Sequence, residues 1–288
     1  MMHRLCASLR SAPAAVVLVC VAILSLAAPA LAGVHYKADT VITGSQTSRT
    51  SVEAWVDGPK AKILFTESDQ PMMGRNDYLL TTDGGKTLYL VDPEERTYME
   101  WNLEGMLAAV GSAMESMKGL VNLEFSDARV EKLAEEPGGE VLGYPTTHYR
   151  YRTSYTTNVK IMGMKRSSST ETVQDVWTTD AFDEVGLGVW LRNEPPATGI
   201  EGLDELIAGE MDKVTGLPLK SRSVSTTTGQ KGKQQGSSTT ETEVTLIEEV
   251  SVPGETFEIP AGYTRQEMVP EEEEDGNPFG RFLKGDGR

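Results

Sequence analysis

Apolar and polar residues alternate along most of this chain with the period of two that half-buried strands require. Val52, Ala54 and Val56 share one face of the segment from Ser51 to Val56. Ala61, Ile63 and Phe65 share one face of the next, with Lys60 and Lys62 turned the other way. The same pattern predicts strands at 34–42, 78–82, 87–91, 97–101, 122–133, 146–160, 168–179, 185–193, 217–227 and 240–250. Asp83-Gly84-Gly85-Lys86 parts two of them, and its Asp-Gly and Gly-Gly steps supply the positive φ of a tight hairpin turn. Antiparallel meanders joined by short turns, with no βαβ alternation, predict one large curved sheet.

Two stretches leave this rhythm for helical spacing. Asn102 caps a predicted helix over 103–120, where Leu103, Met106, Leu107, Val110, Met114, Met117 and Leu120 form an apolar stripe. The second covers 199–214, with Ile200, Leu203, Leu206, Ile207 and Met211 on one face. Each stripe has to be buried against the sheet. The expected fold is therefore mainly β (α+β): an open antiparallel half-barrel with two or more apolar-faced helices packed on its concave side. Thr226 to Thr239 is polar and Gly-rich and is expected to be the unordered tip of a long hairpin. After Tyr263 the apolar periodicity is lost, and the acidic run from Glu271 to Asp275 marks 265–288 as a disordered tail. No internal repeat is evident, and 33–264 reads as a single domain.

The N-terminus has a different character. Arg4 and Arg10 precede an apolar run from Ala14 to Ala28, and Ala30-Leu31-Ala32 offers small residues for a signal peptidase. That is the three-part pattern of a secretory signal over 1–32, with an apolar run too short for a comfortable membrane span. Cys20 follows Val19, which is not the small residue that a lipoprotein acylation box wants, so it reads as an ordinary apolar residue of the signal. Both cysteines lie within the signal, so disulfides, thiol catalysis and cysteine-ligated metals are not expected of the mature chain. Its formal charge of −16 grows more negative once the two arginines are removed. So acidic a chain repels nucleic acid and anionic bilayers. The expected location is the periplasm, or the outside of the cell, with no integral membrane span after cleavage.

Candidate chemistry is sparse. Gly85-Lys86-Thr87 resembles the end of a phosphate-binding loop, but the glycine required five positions earlier is Leu80, and a strand follows rather than a helix. No Gly-x-Ser-x-Gly elbow is present. His35 and His148 have no ligand partner at a metal-binding step, and the acids at 175, 180, 183 and 184 do not fit a calcium loop. No cofactor and no catalysis are expected. Tyr149, Tyr151 and Tyr155 fall on one face of a strand, with His148, Arg150 and Arg152 on the other. Such a pattern can stack single-stranded nucleic acid, but the acidity argues against it and cross-strand packing explains it equally well. Met106, Met114 and Met117 remain, adaptable side chains of the kind that variable apolar ligands favour, although a methionine stripe is more often plain core.

The C-terminal third carries a cadence of its own. Val214-Thr215-Gly216-Leu217-Pro218-Leu219-Lys220 opens a long strand pair. It closes in Val252-Pro253-Gly254-Glu255-Thr256-Phe257-Glu258-Ile259-Pro260-Ala261-Gly262-Tyr263. With Leu79 to Met99, Gly143 to Tyr149 and Asp175 to Asp180, it resembles the periplasmic lipoprotein-carrier (LolA-like) superfamily, and more closely a related exported family of unknown function. The resemblance implies a half-barrel whose space between sheet and helices receives lipid chains, with a cavity lined by interchangeable apolar side chains.

The expected function is thus an exported carrier or sensor that binds an apolar ligand, lipid acyl chains, with envelope proteins as further partners. The expected lining is Met106, Leu107, Val110, Met114 and Met117 from the first helix, Leu203 and Ile207 from the second, and Trp177. The alternative is a non-enzymatic interaction or scaffold domain whose cavity is filled by its own side chains. Processing is directly testable: the intact mass of the exported protein should match a chain starting at Gly33, and a diacylated species starting at Cys20 would overturn that.

Overall fold

A computed structural model describes residues 33–44, 47–69, 73–102, 105, 121–161, 164–182, 201–211 and 213–266. The strands are β1 (Gly33–Thr43), β2 (Ser48–Asp57), β3 (Lys60–Ser68), β4 (Tyr78–Thr81), β5 (Thr87–Asp92) and β6 (Thr97–Asn102). Then follow β7 (Val121–Val141), β8 (Tyr144–Ile161), β9 (Met164–Thr179), α1 (Glu201–Met211), β10 (Leu217–Gly229), β11 (Gln234–Val250) and β12 (Thr264–Gln266). All twelve strands belong to one open sheet, in the order β12-β6-β5-β4-β3-β2-β1-β11-β10-β9-β8-β7. Every pairing is antiparallel except that of β12 with β6.

The chain therefore builds two wings from a central seam. β1 carries β2 to β6 by successive hairpins, and β11 carries β10 to β7. Gly84 and Gly85 sit at φ +76° and +83° in the β4–β5 turn, the left-handed backbone that glycine adopts without a Cβ clash. Registers decide what each face holds. On the inner face Val34 lies opposite Val56, Ala38 opposite Val52, and Val56 opposite Ala61. Across the seam Tyr36 faces Ile247 and Ala38 faces Val244, with a bulge between Lys37 and Ala38 that keeps the apolar residues on one side. These residues pack with Leu219 and Phe182 into one core cluster.

A second cluster occupies the outer face. Tyr78, Leu80 and Val91 project there, and Phe257, only 3% exposed, closes over them. Val252, Ile259 and Tyr263 accompany it, so the segment after β11 crosses back beneath the first wing. Burial by this cover pushes the Tyr78 phenol up to about 12. The free edge at β7 is long, but three register breaks, at 126/129, 132/134 and 137/139, bend and interrupt it. Glu124, Arg129, Glu131, Lys132, Glu135 and Glu136 add charge along it. Both features discourage another strand from adding on.

Three expectations need correction. Among the described residues there is one helix, α1, not two or more. Asn102 Oδ1 does accept the Gly105 N–H at 2.8 Å, the bond of a helix cap, but 103–104 and 106–120 lie outside the described residues. The predicted strand at 185–193 also lies outside them. The hairpin tip is shorter than expected, because β10 and β11 stay paired as far as Thr228 and Gln234. Its residues are polar on both faces, so no hydropathy alternation announces the strands. Finally, β12 carries the sheet three residues past Tyr263. Removing the outer cover should be costly: Phe257→Ala is expected to lose about 3–5 kcal/mol, read as a lowered urea midpoint.

Candidate functional site

α1 runs along the inner face at β7. Gly202 makes the approach possible, since a Cβ there would meet the Phe125 carbonyl oxygen at 2.5 Å. Leu206, one turn on, is buried, and Gly209, nearly two turns on, sits against Val130. The three positions share one stripe of the helix. Polar ties fix its end: the Thr153 hydroxyl donates to Glu210 at 2.6 Å, and Tyr149 and Thr215 share a hydroxyl bond of 2.9 Å. Burial, and after it the charge of Glu210, holds the Tyr151 phenol well above its ordinary value.

Of the expected lining residues, Leu203 and Ile207 lie half-buried on α1. Met106, Leu107, Val110, Met114 and Met117 lie outside the described residues. Trp177 is not brought together with Leu203 and Ile207. Its register partners are His148 and Lys220 on the outer face, and the inner position belongs to its neighbour Val176, 3% exposed.

The inner face is not uniformly apolar. On the first wing Ile63, Phe65, Leu88, Leu90, Met99 and Trp101 lie on it by register. Trp101 Nε1 is buried there without an acceptor. Next to apolar Leu219 and Val176, the seam and the second wing carry rows of hydroxyls. Thr40 faces Thr242 and Thr242 faces Ser221; Ser223 lies between Thr240 and Gln174, and Ser225 between Ser238 and Thr172. Direct bonds join Thr40 to Thr242 at 3.0 Å, Thr172 to Ser225 at 3.1 Å and Thr170 to Thr227 at 3.2 Å. The signal was in the sequence: Ser221, Ser223 and Ser225, like Thr170 and Thr172, repeat with period two in hydroxyl rather than in hydropathy.

The outer face holds two matching blocks that sequence reading passed over. His35 stacks on Trp55 at 5.3 Å, and His148 on Trp177 at 4.5 Å. Each tryptophan lies directly opposite its histidine on the adjacent strand. In each block both ring nitrogens face carboxylates: Glu53 at 2.8 Å and Glu248 at 3.0 Å for His35, Asp175 at 2.9 Å and Glu136 at 3.2 Å for His148. A cation two residues beyond the histidine meets the first carboxylate, Lys37 on Glu53 at 3.1 Å and Arg150 on Asp175 at 3.7 Å. The shared pattern is His-x-cation opposite acid-x-Trp. Burial opposes ionisation of Glu53, but the bonds and charges of His35 and Lys37 prevail and hold its carboxyl below the ordinary range. Among the described residues no group of three or more His, Cys, Asp or Glu is placed to hold a metal ion. No described helix is long and apolar enough to cross a membrane.

The described residues form an open, almost wholly antiparallel sheet with one packed helix and two unlike faces. Residues 60–263 match the family described as "Domain of unknown function (DUF4412)", and the chain belongs to that family. Two solved structures are similar to it. One is a "putative outer membrane lipoprotein-sorting protein domain" from Vibrio parahaemolyticus, 10% identical over 79% of this chain and 89% of that chain, with a TM-score of 0.28. The other is a DUF1329 family protein from Desulfovibrio piger, 10% identical over 78% of this chain and 89% of that chain, with a TM-score of 0.29. The first bears the class name that the sequence resembles. No curated protein matches the chain.

The depressed Glu53 carboxyl sets a pH dependence. A carboxylate lowered in the folded state adds stability above its unfolded pKa and loses it as pH falls through the folded one. Glu53→Gln should therefore be less stable than wild type at neutral pH, with the gap closing through the acid carboxylate range in urea midpoints measured at stepped pH. A gap that stays constant with pH would contradict the assignment.

Proposed function

We propose that this protein is an exported carrier or sensor that shelters the acyl chains of a lipid against the inner face of its sheet. The observation that supports it is the division of that face into an apolar first wing and a hydroxyl-bearing second wing. An amphiphile has the same division. Its chains would lie along β2 to β6, and its polar part on the rows around Ser223 and Thr242. The unpartnered Trp101 N–H adds a donor on the apolar side, and a buried donor left unpaired costs about 1–3 kcal/mol. Leu203 and Ile207 on α1, and the stripe from Met106 to Met117, would complete the lining. The reading is non-enzymatic, placed in the periplasm or outside the cell, and involves no nucleic acid.

The scaffold alternative has an observation of its own. Ile63, Phe65 and Leu90 are 5%, 6% and 4% exposed, so part of the apolar wing is already covered by the protein itself. Extraction of the purified mature protein and mass spectrometry separate the two readings. The carrier should yield acylated lipid near one molecule per chain, and Leu88→Glu, which places a charge in the apolar wing, should lower that yield while the far-ultraviolet spectrum of the sheet persists. A wild-type protein that retains no lipid and takes up none from vesicles would establish the self-filled scaffold instead.

A further inference from the structure

A cleft of about 400 Å³ opens on the outer face, where the segment after β11 crosses β1, β2 and β3. That volume lies within the roughly 300–1,000 Å³ typical of small-molecule sites. His35, Trp55 and Lys62 form its sheet side, and Val252, Pro253 and Thr256 face them from the crossing segment. Trp55 and Lys62 are register neighbours on β2 and β3, so both side chains leave the outer face at adjacent positions lining the cleft. The indole is already oriented by its stack on His35, with rings 12° from parallel.

The polar groups of the cleft are unequally satisfied. His35 has both ring nitrogens engaged by Glu53 and Glu248. Lys37, Lys132 and Lys220 each have a carboxylate within ion-pair distance. Lys62 has none among the described residues. Its ammonium instead lies 4.3 Å from the centre of the Tyr78 ring, a contact that compensates a cation only in part. Half-burial pushes its pKa down, the mark of a charge whose lost hydration has not been replaced.

We infer that this cleft binds a small organic acid, its carboxylate on Lys62 and its flat apolar body against Trp55, Val252 and Pro253. The ligand supplies a counter-ion that the described residues do not, and Val252 and Pro253 give its body an apolar wall. Simple inorganic anions lack the body and gain little. Because the cleft lies on the face opposite α1, the inference is independent of lipid binding on the inner face, and either can fail alone.

Titration of 2-naphthoate into the full mature protein, followed by calorimetry and by the Trp55 indole resonance, tests it. Wild type should bind with a shift at Trp55. Lys62→Gln should weaken binding about tenfold or more, as the loss of a charge-assisted hydrogen bond implies. Lys62→Arg should retain most of it, and the neutral 2-naphthalenemethanol should bind weakly and with indifference to Lys62→Gln. Equal affinity of wild type and Lys62→Gln for naphthoate would overturn the site. So would the absence of any Trp55 shift in wild type at millimolar naphthoate, a measurement that depends on no variant folding.

Discussion

The antiparallel pairing of β1 with β11 supports both wings and both faces. β1 would otherwise be the edge of a six-strand meander, and β11 the edge of a five-strand one. Joined, they place Val34, Ala38, Val244 and Ile247 in the same core cluster, so inner-face burial is continuous across the seam. The same junction aims the chain leaving β11 at the underside of β2 and β3. The outer cluster around Phe257 thus exists only because the inner seam has been set. The bulge after Lys37 is a small detail with large reach. Without it every residue of β11 beyond the seam would turn to the wrong face.

The two faces divide their chemistry along the same line. Inner positions of the first wing are mostly apolar, while the second wing adds rows of hydroxyls to its apolar Leu219, Val176 and Val244. Outer positions are covered by the returning segment on one wing and charged on the other, as with Arg222 on Glu241 at 3.0 Å. The two His–Trp blocks straddle this division, one on β1 and β2, the other on β8 and β9. Each ties two strands together through an aromatic stack and a carboxylate lattice, and Trp55 of the first block also packs on the outer cluster.

Much of this was legible in the chain. The strands of the first wing alternate in hydropathy because one side is core, and the Asp83–Lys86 turn announces its own hairpin. The closing segment from Val252 to Tyr263 stood out as a motif, yet its role did not, since nothing local says that Phe257 will lie on Tyr78 and Val91. The β10–β11 tip was misread because Ser and Thr on both faces erase the alternation that hydropathy detects. His35 and His148 read as lone residues for a similar reason. The carboxylates on His35 stand 18 and 213 positions away in sequence and become neighbours only through strand register. Strand parity turns Trp177 to the outer face and its neighbour Val176 to the inner one.

The seam also fixes an order of events in time. A chain made from its N-terminus presents β1 early and β11 almost last. β2 arrives at once and pairs with one edge of β1, while the other edge waits through the emergence of nearly the whole second wing. During that interval β1 is an unpaired edge with a row of apolar side chains beneath it, the feature that invites association between chains. The interval before β11 arrives is therefore when one copy of this chain is most open to pairing with another.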